Sequence, residues 1–443
     1  MVQRRRLRLL IPDRERQSIL TSAGELPSLD VDLSERETTT AAAWRVLPSV
    51  GLSGPVLDCF VDQSRASVDD DVEVHAALVE LDGPPDGWVA PGGWEWAPLR
   101  GPAPRVDPGL ESGFNERIAE LRGDRPVPEL RVPWGREGWY ERASDWIATV
   151  LRAEGRPAPT EIVQVRHWGI SAVMRVDTAA DRYWFKASFG PFRREAAITA
   201  ALDRAAPGEI TRVVAADEER GWLLLEDIDG VVVGEDPAPT RAAFDHLVDV
   251  QLALAGREEE LRAAGCPRRP ISELPDLLRV ALDTPLLRAL DFTPRRIEQL
   301  IARLTEAVDA VQAVGVPDTF VHGDFHPGNA MATPDGIRIF DWSDAAYTNP
   351  LVDVATWASW FHDDQPRVES IYRTFHDARA EKLGDPPGTG LDRLDRGTLE
   401  AVAGAYHTLS YVGILGALEP HRRAEHAEGI NEFFTLLDSA TPP

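Results

Sequence analysis

Cysteine and positive charge are scarce in this sequence. The two cysteines among 443 residues, Cys59 and Cys266, form no disulfide framework and indicate a reducing compartment, so we expect a cytoplasmic protein. The opening, MVQRRRLRLLIPDRER, is basic, but too few apolar residues follow for a signal peptide. Lys and Arg number 47 against 73 Asp and Glu, a formal net charge of -26. Such a charge repels nucleic acid and anionic membranes, and neither is expected as a partner.

Long apolar runs are also rare. Residues 401–418 carry no formal charge and approach the length of a membrane span, but they include His407, Ser410 and three glycines. We therefore predict a buried core helix there. Residues 239–314 repeat apolar side chains at a helical spacing, which predicts further helices. The hydrophobic content of 43% is enough to fill two or three cores.

The run from His322 to Asp353, HGDFHPGNAMATPDGIRIFDWSDAAYTNPLVD, contains a polar loop followed by a predicted hairpin. Asp324 and Asn329 lie in the loop, and the apolar strand from Ile337 to Phe340 presents Asp341 at its end. This spacing suits a phosphoryl-transfer centre that holds magnesium.

The residue types in this run fit that chemistry. Phosphoryl transfer requires a carboxylate to orient the attacking hydroxyl and accept its proton, a role that we predict for Asp324. Mg²⁺ prefers oxygen ligands, which the amide of Asn329 and the carboxylate of Asp341 offer. His322 is expected to hydrogen-bond backbone groups of the loop. The alternative is that these are ordinary turn-forming residues that match by chance.

HGDFHPGN followed by FDWSDA resembles the aminoglycoside phosphotransferase and choline kinase-like family, which shares the eukaryotic protein kinase fold. The resemblance covers about residues 139–443. It implies an α+β fold with a small β-rich lobe and a large helical lobe, and it implies the same roles for the Asp and Asn residues just described, with ATP as donor. It also implies that Asp353 supports the loop. Many members have Gly-Asp-Pro where this chain has Thr348-Asn349-Pro350, which puts one local turn in question.

Residues 161–228 are predicted to form the nucleotide-binding lobe. Gly169-Ile170-Ser171 separates two short strands, and its backbone N–H groups and the Ser171 hydroxyl are placed to approach phosphates. Lys186 lies inside an aromatic strand, where an ammonium group needs an anionic partner. The following helix offers Glu195, and the pair resembles the family's lysine and glutamate that grip the α- and β-phosphates. The alternative is a strand-edge lysine whose head is in water.

A second predicted hairpin ends at Glu226-Asp227-Ile228. In the family this is the hinge that binds adenine through backbone groups, which implies the same role for Glu226 and Ile228. The alternative is an ordinary hairpin end. Trp184 shares a strand face with Lys186 and is expected to narrow the adenine slot or stack on the base, so the nucleotide preference stays open.

The first hundred residues predict a small α+β domain. Strands are expected at Arg5–Ile11, Val56–Val61 and Val72–Leu81, with a helical segment from Thr38 to Val50. AAAWRVLPSVGL and the WEWAPL segment weakly resemble a Nudix domain. Arg45, Pro48 and Ser49 stand where such a domain carries metal-binding glutamates, so a Nudix-like fold here is expected to be non-catalytic.

These observations predict four parts. Residues 1–100 form the small domain, proline-rich residues 101–138 a linker, 139–228 the β-rich lobe, and 229–443 the helical lobe with the catalytic loop. The predicted function is ATP-dependent transfer of the γ-phosphate to a hydroxyl of a small molecule. One alternative is a nucleotide-binding pseudokinase or sensor without transfer activity. Another is a nucleoside-diphosphate hydrolase activity of the front domain, which the missing glutamates argue against.

Overall fold

A computed structural model describes residues 3–33, 37–61, 73–82, 88–234, 236, 238–284, 293–384 and 390–439. The chain divides into two compact units. The first contains Met1–Phe189 and Leu418–Glu425, and the second contains Gly190–Ala417 and His426–Pro443. Strands and helices occur in both, so the α+β fold class is confirmed.

The first unit begins with a mixed four-stranded sheet of order β3-β1-β5-β4, beside a separate β2-β6 ribbon. β1 pairs antiparallel with β3 and parallel with β5, and β4 pairs antiparallel with β5. The strands are β1 Gln3–Leu10, β2 Ser18–Ser22, β3 Ser28–Leu33, β4 Val56–Val61, β5 Glu73–Val79 and β6 Trp94–Pro98. Val72, which was predicted to begin the strand at β5, lies outside the described residues.

Both faces of this sheet are buried. Side chains alternate along a strand, so neighbouring residues of one strand pack in different clusters. On β5, Ala77 and Val79 join a cluster that includes Ala42 and Ala43 of helix α1, Thr39–Val46. The intervening Leu78 joins a second cluster with residues of helix α2, Glu111–Leu121.

Residues 101–138, predicted to be a linker, are therefore packed along much of their length. Leu110, Phe114 and Ile118 are each at most 3% exposed and complete the second face of the sheet. The proline-rich composition predicted a linker, whereas the apolar residues of α2 pack against the sheet. The four domain boundaries themselves stay a prediction, as does the Nudix resemblance of the first hundred residues.

The remainder of the first unit holds an antiparallel meander, β7 Pro159–His167, β8 Ser171–Thr178 and β9 Arg182–Ser188, preceded by helix α3, Trp139–Ala153. The sequence predicts strands at Glu161–Trp168, Ala172–Val176 and Tyr183–Ala187 and a helix at Arg142–Glu154, each within one to three residues of the observed bounds. On α3 the apolar residues Ala143, Ile147 and Leu151 recur every four positions and are fully buried. The helical repeat of apolar residues therefore determines which face of α3 is buried.

A buried cluster of charges also lies in the first unit. Arg131, whose side chain is fully buried, donates to both carboxylate oxygens of Glu120 and of Glu419, at 2.5–2.9 Å. Arg422 pairs with Asp58, which also accepts from Arg117 Nε at 2.8 Å. Burial alone would raise the pKa of Asp58, but the charge of Arg422 and a hydrogen bond with His421 hold it well below its usual range.

We predict that Arg131→Met lowers the free energy of unfolding by about 3–5 kcal/mol, because two buried carboxylates lose their shared partner. The matched control is Arg105→Met, since Arg105 pairs with Glu25 at 3.1 Å with side chains 75% and 40% exposed. Its loss should cost about 0–1 kcal/mol. Urea unfolding followed by tryptophan fluorescence compares the two variants. Equal midpoints would contradict the prediction.

The second unit is largely helical. Its helices are α4 Glu195–Ala205, α5 Thr240–Ala253, α6 Glu258–Ala263, α7 Leu274–Leu282, α8 Pro294–Val314, α9 Leu351–Ser359, α10 Gln365–Leu383, α11 Arg396–Gly416 and α12 Ala424–Ser439. The run 401–418 lies mainly on α11, whose residues from Ala401 to Thr408 are buried, as predicted. Among the described residues, no helix is both long enough and apolar enough to cross a bilayer.

Short antiparallel strands complete the second unit: β10 Val213–Asp217, β11 Trp222–Glu226, β12 Val231–Val232, β13 Thr319–Val321, β14 Ala330–Thr333, β15 Gly336–Ile339 and β16 Ala346–Thr348. β10 pairs with β11, β13 with β16, and β12 with the β14-β15 hairpin. The loop between β13 and β14 is the one predicted to be catalytic.

Phe325, inside this loop, anchors it to the helical core. Its ring lies 5.9 Å from Phe244 of α5 and 4.8 Å from Trp357 of α9, measured between ring centroids, and it is fully buried. Asp324 and His326 on either side are partly exposed. Alternation along the extended loop therefore buries the phenyl ring and presents its polar neighbours.

Candidate active site

The loop after β13 is held by Asp353, in the first turn of α9. His322 N–H donates to Asp353 Oδ2 at 3.2 Å, and Gly323 N–H donates to Oδ1 at 2.9 Å. The Asp353 side chain is fully buried. Burial raises the pKa of Asp353 to about 7, although the two N–H donors favour the anion. The supporting contact implied for Asp353 is thus present.

His322 makes the backbone hydrogen bonds expected of it. Asp324 N–H donates to His322 Nδ1 at 3.2 Å, so Nε2 carries the ring proton and donates to Phe340 O at 3.0 Å. Burial lowers the pKa of His322, which is fully buried and stays neutral. The ring thereby joins the catalytic loop to the end of β15.

Gly323 permits a close approach within the site. Its φ is +83°, and a Cβ built there would lie 2.2 Å from Asp344 O. Both the backbone conformation and the missing side chain require glycine. The loop and the segment after β15 consequently meet at backbone contact.

Asp324 and Asn329 are brought together as predicted. Asn329 Nδ2 donates to Asp324 O at 3.0 Å and to Asp324 Oδ2 at 3.2 Å. This use of the amide nitrogen leaves Asn329 Oδ1 as the atom suited to a hard cation. Asn329 is buried, whereas the Asp324 side chain is 42% exposed and open to a substrate.

The β14-β15 hairpin positions Asp341 near this pair. Ala330 is in register with Ile339, and Phe340 N–H donates to Asn329 O at 3.1 Å. Asp341 follows directly, with a left-handed φ of +67°. A non-glycine residue held in this conformation is strained, and such strain is common where a side chain is aimed for function.

Asp344 is a third carboxylate in this region that the sequence reasoning missed. The Ser343 hydroxyl lies 2.9 Å from Asp341 Oδ1 and 3.2 Å from Asp344 Oδ2. Burial, followed by the charges of Asp324 and Asp341, raises the pKa of Asp344 to about 7, and Arg269 and Arg194 oppose the shift. The sequence feature that points to this residue is the second aspartate of DWSD, three residues after Asp341.

The carboxylates of Asp324, Asp341 and Asp344 and the amide oxygen of Asn329 are donors of the kind that a divalent cation takes. Their mutual repulsion is reflected in the pKa of Asp344, and a bound cation would relieve it. The donors are oxygens, the type that magnesium prefers. Asn329 and Asp341 are the residues that we assign to such an ion under the proposal below.

Two of the predicted nucleotide-binding residues lie in the first unit. Lys186 is on β9 opposite Val173, and Ser171 is the first residue of β8, opposite Ser188. Gly169 has a packing reason of its own, since a Cβ there would lie 2.5 Å from Leu418 Cδ2. Their approach to phosphates stays a prediction.

The other predicted nucleotide-binding residues lie in the second unit. Glu195 begins α4 and is 2% exposed. Glu226 ends β11, where its N–H donates to Arg212 O at 3.0 Å, and Ile228 follows in a partly buried loop. The pairing of Lys186 with Glu195 and the adenine contacts at Glu226 and Ile228 stay predictions.

The Thr348-Asn349-Pro350 departure from the family pattern makes a structured turn. Asn349 Oδ1 accepts the N–H of Leu351 at 3.2 Å at the start of α9, and Asn349 is 2% exposed. Asparagine favours such turns because its side chain satisfies a backbone donor two residues on. The turn therefore leads directly into α9, and Asp353 lies in the first turn of that helix.

The family model described as "Phosphotransferase enzyme family" matches residues 162–384. The chain belongs to this family. The match includes the whole loop predicted to be catalytic, Asp341 and Asp353, and it makes the protein a phosphotransferase with the kinase-like fold expected from the resemblance. No curated protein matches the sequence significantly.

Several solved structures are similar over nearly their whole length, at low identity. APH(2")-IIIa, in a GDP and kanamycin complex, is 16% identical, with 67% of this chain and 98% of that chain covered and a TM-score of 0.47. Choline kinase LicA from Streptococcus pneumoniae is 13% identical, with 66% and 99% covered and a TM-score of 0.45. A Plasmodium vivax ethanolamine kinase is 14% identical, with 77% and 96% covered and a TM-score of 0.48.

The support of the loop by Asp353 can be tested. We predict that Asp353→Asn lowers the free energy of unfolding by about 1–3 kcal/mol, because the amide offers one acceptor oxygen to two buried N–H groups. Asp363→Asn is the control, since the Asp363 side chain is 95% exposed. Thermal unfolding measures both variants. A melting temperature unchanged in Asp353→Asn would show that the two bonds do not support the loop.

Proposed function

We propose that this phosphotransferase moves the γ-phosphate of ATP to a hydroxyl of a small molecule, such as an amino alcohol, a sugar or an aminoglycoside. The observation that carries the proposal is the partly exposed Asp324 carboxylate, held at 3.2 Å by Asn329 beside the hairpin that ends at Asp341. Phosphoryl transfer depends on such positioning more than on covalent chemistry. Two free cysteines agree with a cytoplasmic site of action.

Asp324 is the proposed base. Its carboxylate orients the acceptor hydroxyl and takes the proton as the oxygen attacks the γ-phosphorus. Asn329 holds one carboxylate oxygen, and Phe325 fixes the backbone by its burial. The base therefore needs little reorganisation when the substrate binds.

Asn329 and Asp341 are the proposed magnesium ligands. When bound, magnesium neutralises charge on the nucleotide phosphates. His322 connects the two ligand-bearing segments, because it accepts from Asp324 N–H and donates to Phe340 O. This connection sets the spacing of the ligands.

Lys186, with Glu195, is the proposed phosphate-binding pair. Lys186 and Lys382 are the lysines among the 47 basic residues, all others being arginine. Lys382 forms an ion pair with Asp249 at 2.5 Å. A lysine on β9, in a chain that otherwise uses arginine, fits a position that needs a compact charge against phosphate oxygens.

The role of Asp324 gives a direct prediction. Asp324→Asn should lower phosphoryl transfer about 10²-fold or more, because an amide cannot accept the hydroxyl proton. The assay is a screen of hydroxyl acceptors with labelled ATP, repeated with GTP. Nucleotide affinity, measured by calorimetry, should change little. A wild-type protein that binds nucleotide and transfers no phosphate to any acceptor or to water would instead favour the sensor alternative.

The metal site gives a second prediction. Asp341→Asn should raise the Mg²⁺ concentration needed for half-maximal turnover about tenfold or more, because one anionic ligand is lost. It should also weaken Mn²⁺ binding measured by electron paramagnetic resonance in the presence of nucleotide. Asp335→Asn is the matched control, since Asp335 is exposed in the turn of the same hairpin. Equal Mn²⁺ affinity in the two variants would remove Asp341 from the site.

A further inference from the structure

His326 is a polar residue of the loop with no role assigned so far. Gly328 N–H donates to His326 Nδ1 at 3.0 Å. A ring nitrogen that accepts a hydrogen bond must carry a lone pair, so the proton of the neutral imidazole lies on Nε2. The local backbone thereby selects the ring tautomer.

The protonated nitrogen faces the proposed base. His326 Nε2 lies 3.6 Å from Asp324 Oδ2, the same oxygen that accepts from Asn329 Nδ2 at 3.2 Å. A separation of 3.6 Å is longer than a hydrogen bond. Catalytic hydrogen bonds often shorten to full strength only in the substrate complex. Two donors thus approach Oδ2 and leave Oδ1 for the acceptor.

Two contacts fix the plane of the imidazole. The ring stacks on Trp360, with centroids 4.6 Å apart and planes 12° apart. At residue 328, a Cβ would lie 2.7 Å from His326 Cε1, so the glycine leaves room for the ring. The His326 side chain is 20% exposed. Trp360 and Gly328 therefore hold the ring in place, with Nε2 facing the Asp324 carboxylate.

We propose that His326 is a positioning residue, which donates its Nε2 proton to Asp324 Oδ2 and so makes Oδ1 the proton-accepting atom. The inference rests on the proposed function. In the transfer step, the acceptor oxygen forms a bond to the γ-phosphorus and its proton goes to Asp324 Oδ1. The bond from the γ-phosphorus to the bridging oxygen breaks, and the nucleoside diphosphate leaves with that electron pair. His326 keeps its own proton throughout.

Two substitutions separate the nitrogens of the ring. Asparagine places an oxygen near the position of Nδ1 and can still accept from Gly328, but it does not reach Asp324. Glutamine reaches the position of Nε2 and carries a donor there. His326→Asn should lower kcat about 10- to 100-fold, the effect of losing one hydrogen bond to a charged group, with the KM for nucleotide unchanged. His326→Gln should restore most of the turnover.

The assay measures phosphate release from Mg·ATP to water, and to any acceptor found in the screen, with Asp324→Asn as the baseline. Full wild-type turnover in His326→Asn, or equal loss in both His326 variants, would overturn the inference while leaving the proposed function intact. Absence of wild-type turnover above the Asp324→Asn baseline would count against the proposed function and against the role of His326 in it.

The tautomer has a readout that does not need activity. Nitrogen-15 NMR of the full chain, labelled at histidine, distinguishes a protonated from an unprotonated ring nitrogen, and His326→Asn identifies the resonances of His326. We expect the proton on Nε2 in the neutral ring. A proton on Nδ1 would exclude the donation to Asp324, whatever the turnover of the two variants.

Discussion

The site depends on one buried carboxylate that holds two backbone N–H groups. Asp353, at the start of α9, accepts from His322 and Gly323, and these residues precede the proposed base. An isolated buried carboxylate would be costly, and the two donors stabilise its charge. This contact fixes the loop backbone on one side of Asp324, and the buried ring of Phe325 fixes it on the other side. The position of Asp324 therefore depends on Asp353.

Electrostatic repulsion is the cost of this arrangement. Asp324, Asp341 and Asp344 lie close enough for their charges to raise the pKa of Asp344 to about 7, in addition to the effect of burial. Folding therefore assembles a site with an excess of negative charge in a chain whose formal net charge is already -26. A site of this kind is suited to a cation and to the cation-bound phosphates of a nucleotide.

Buried ion pairs connect distant parts of the chain within the first unit. These ion pairs join Arg131 to Glu419, 288 residues further along the chain, and Asp58 of β4 to Arg422, 364 residues further along. Such pairs contribute little net stability compared with apolar packing, but they tolerate few wrong partners. The segment Leu418–Glu425, which carries Glu419 and Arg422, belongs to the first unit. The front domain is thereby tied to residues near the end of the sequence.

The sequence alone determined local features: the loop with Asp324 and Asn329, the hairpin that leads to Asp341, and some strands to within two residues, such as β1 and β4. Hydrophobic period and turn residues are local signals, so they survive without tertiary context. The tertiary structure decided what depends on distant partners. It packed residues 101–138 as the second cover of the front sheet, paired Arg131 with Glu419, brought Asp344 to the site, and turned His326 toward Asp324. None of these contacts has a sequence period, because each is set by which surfaces meet after folding.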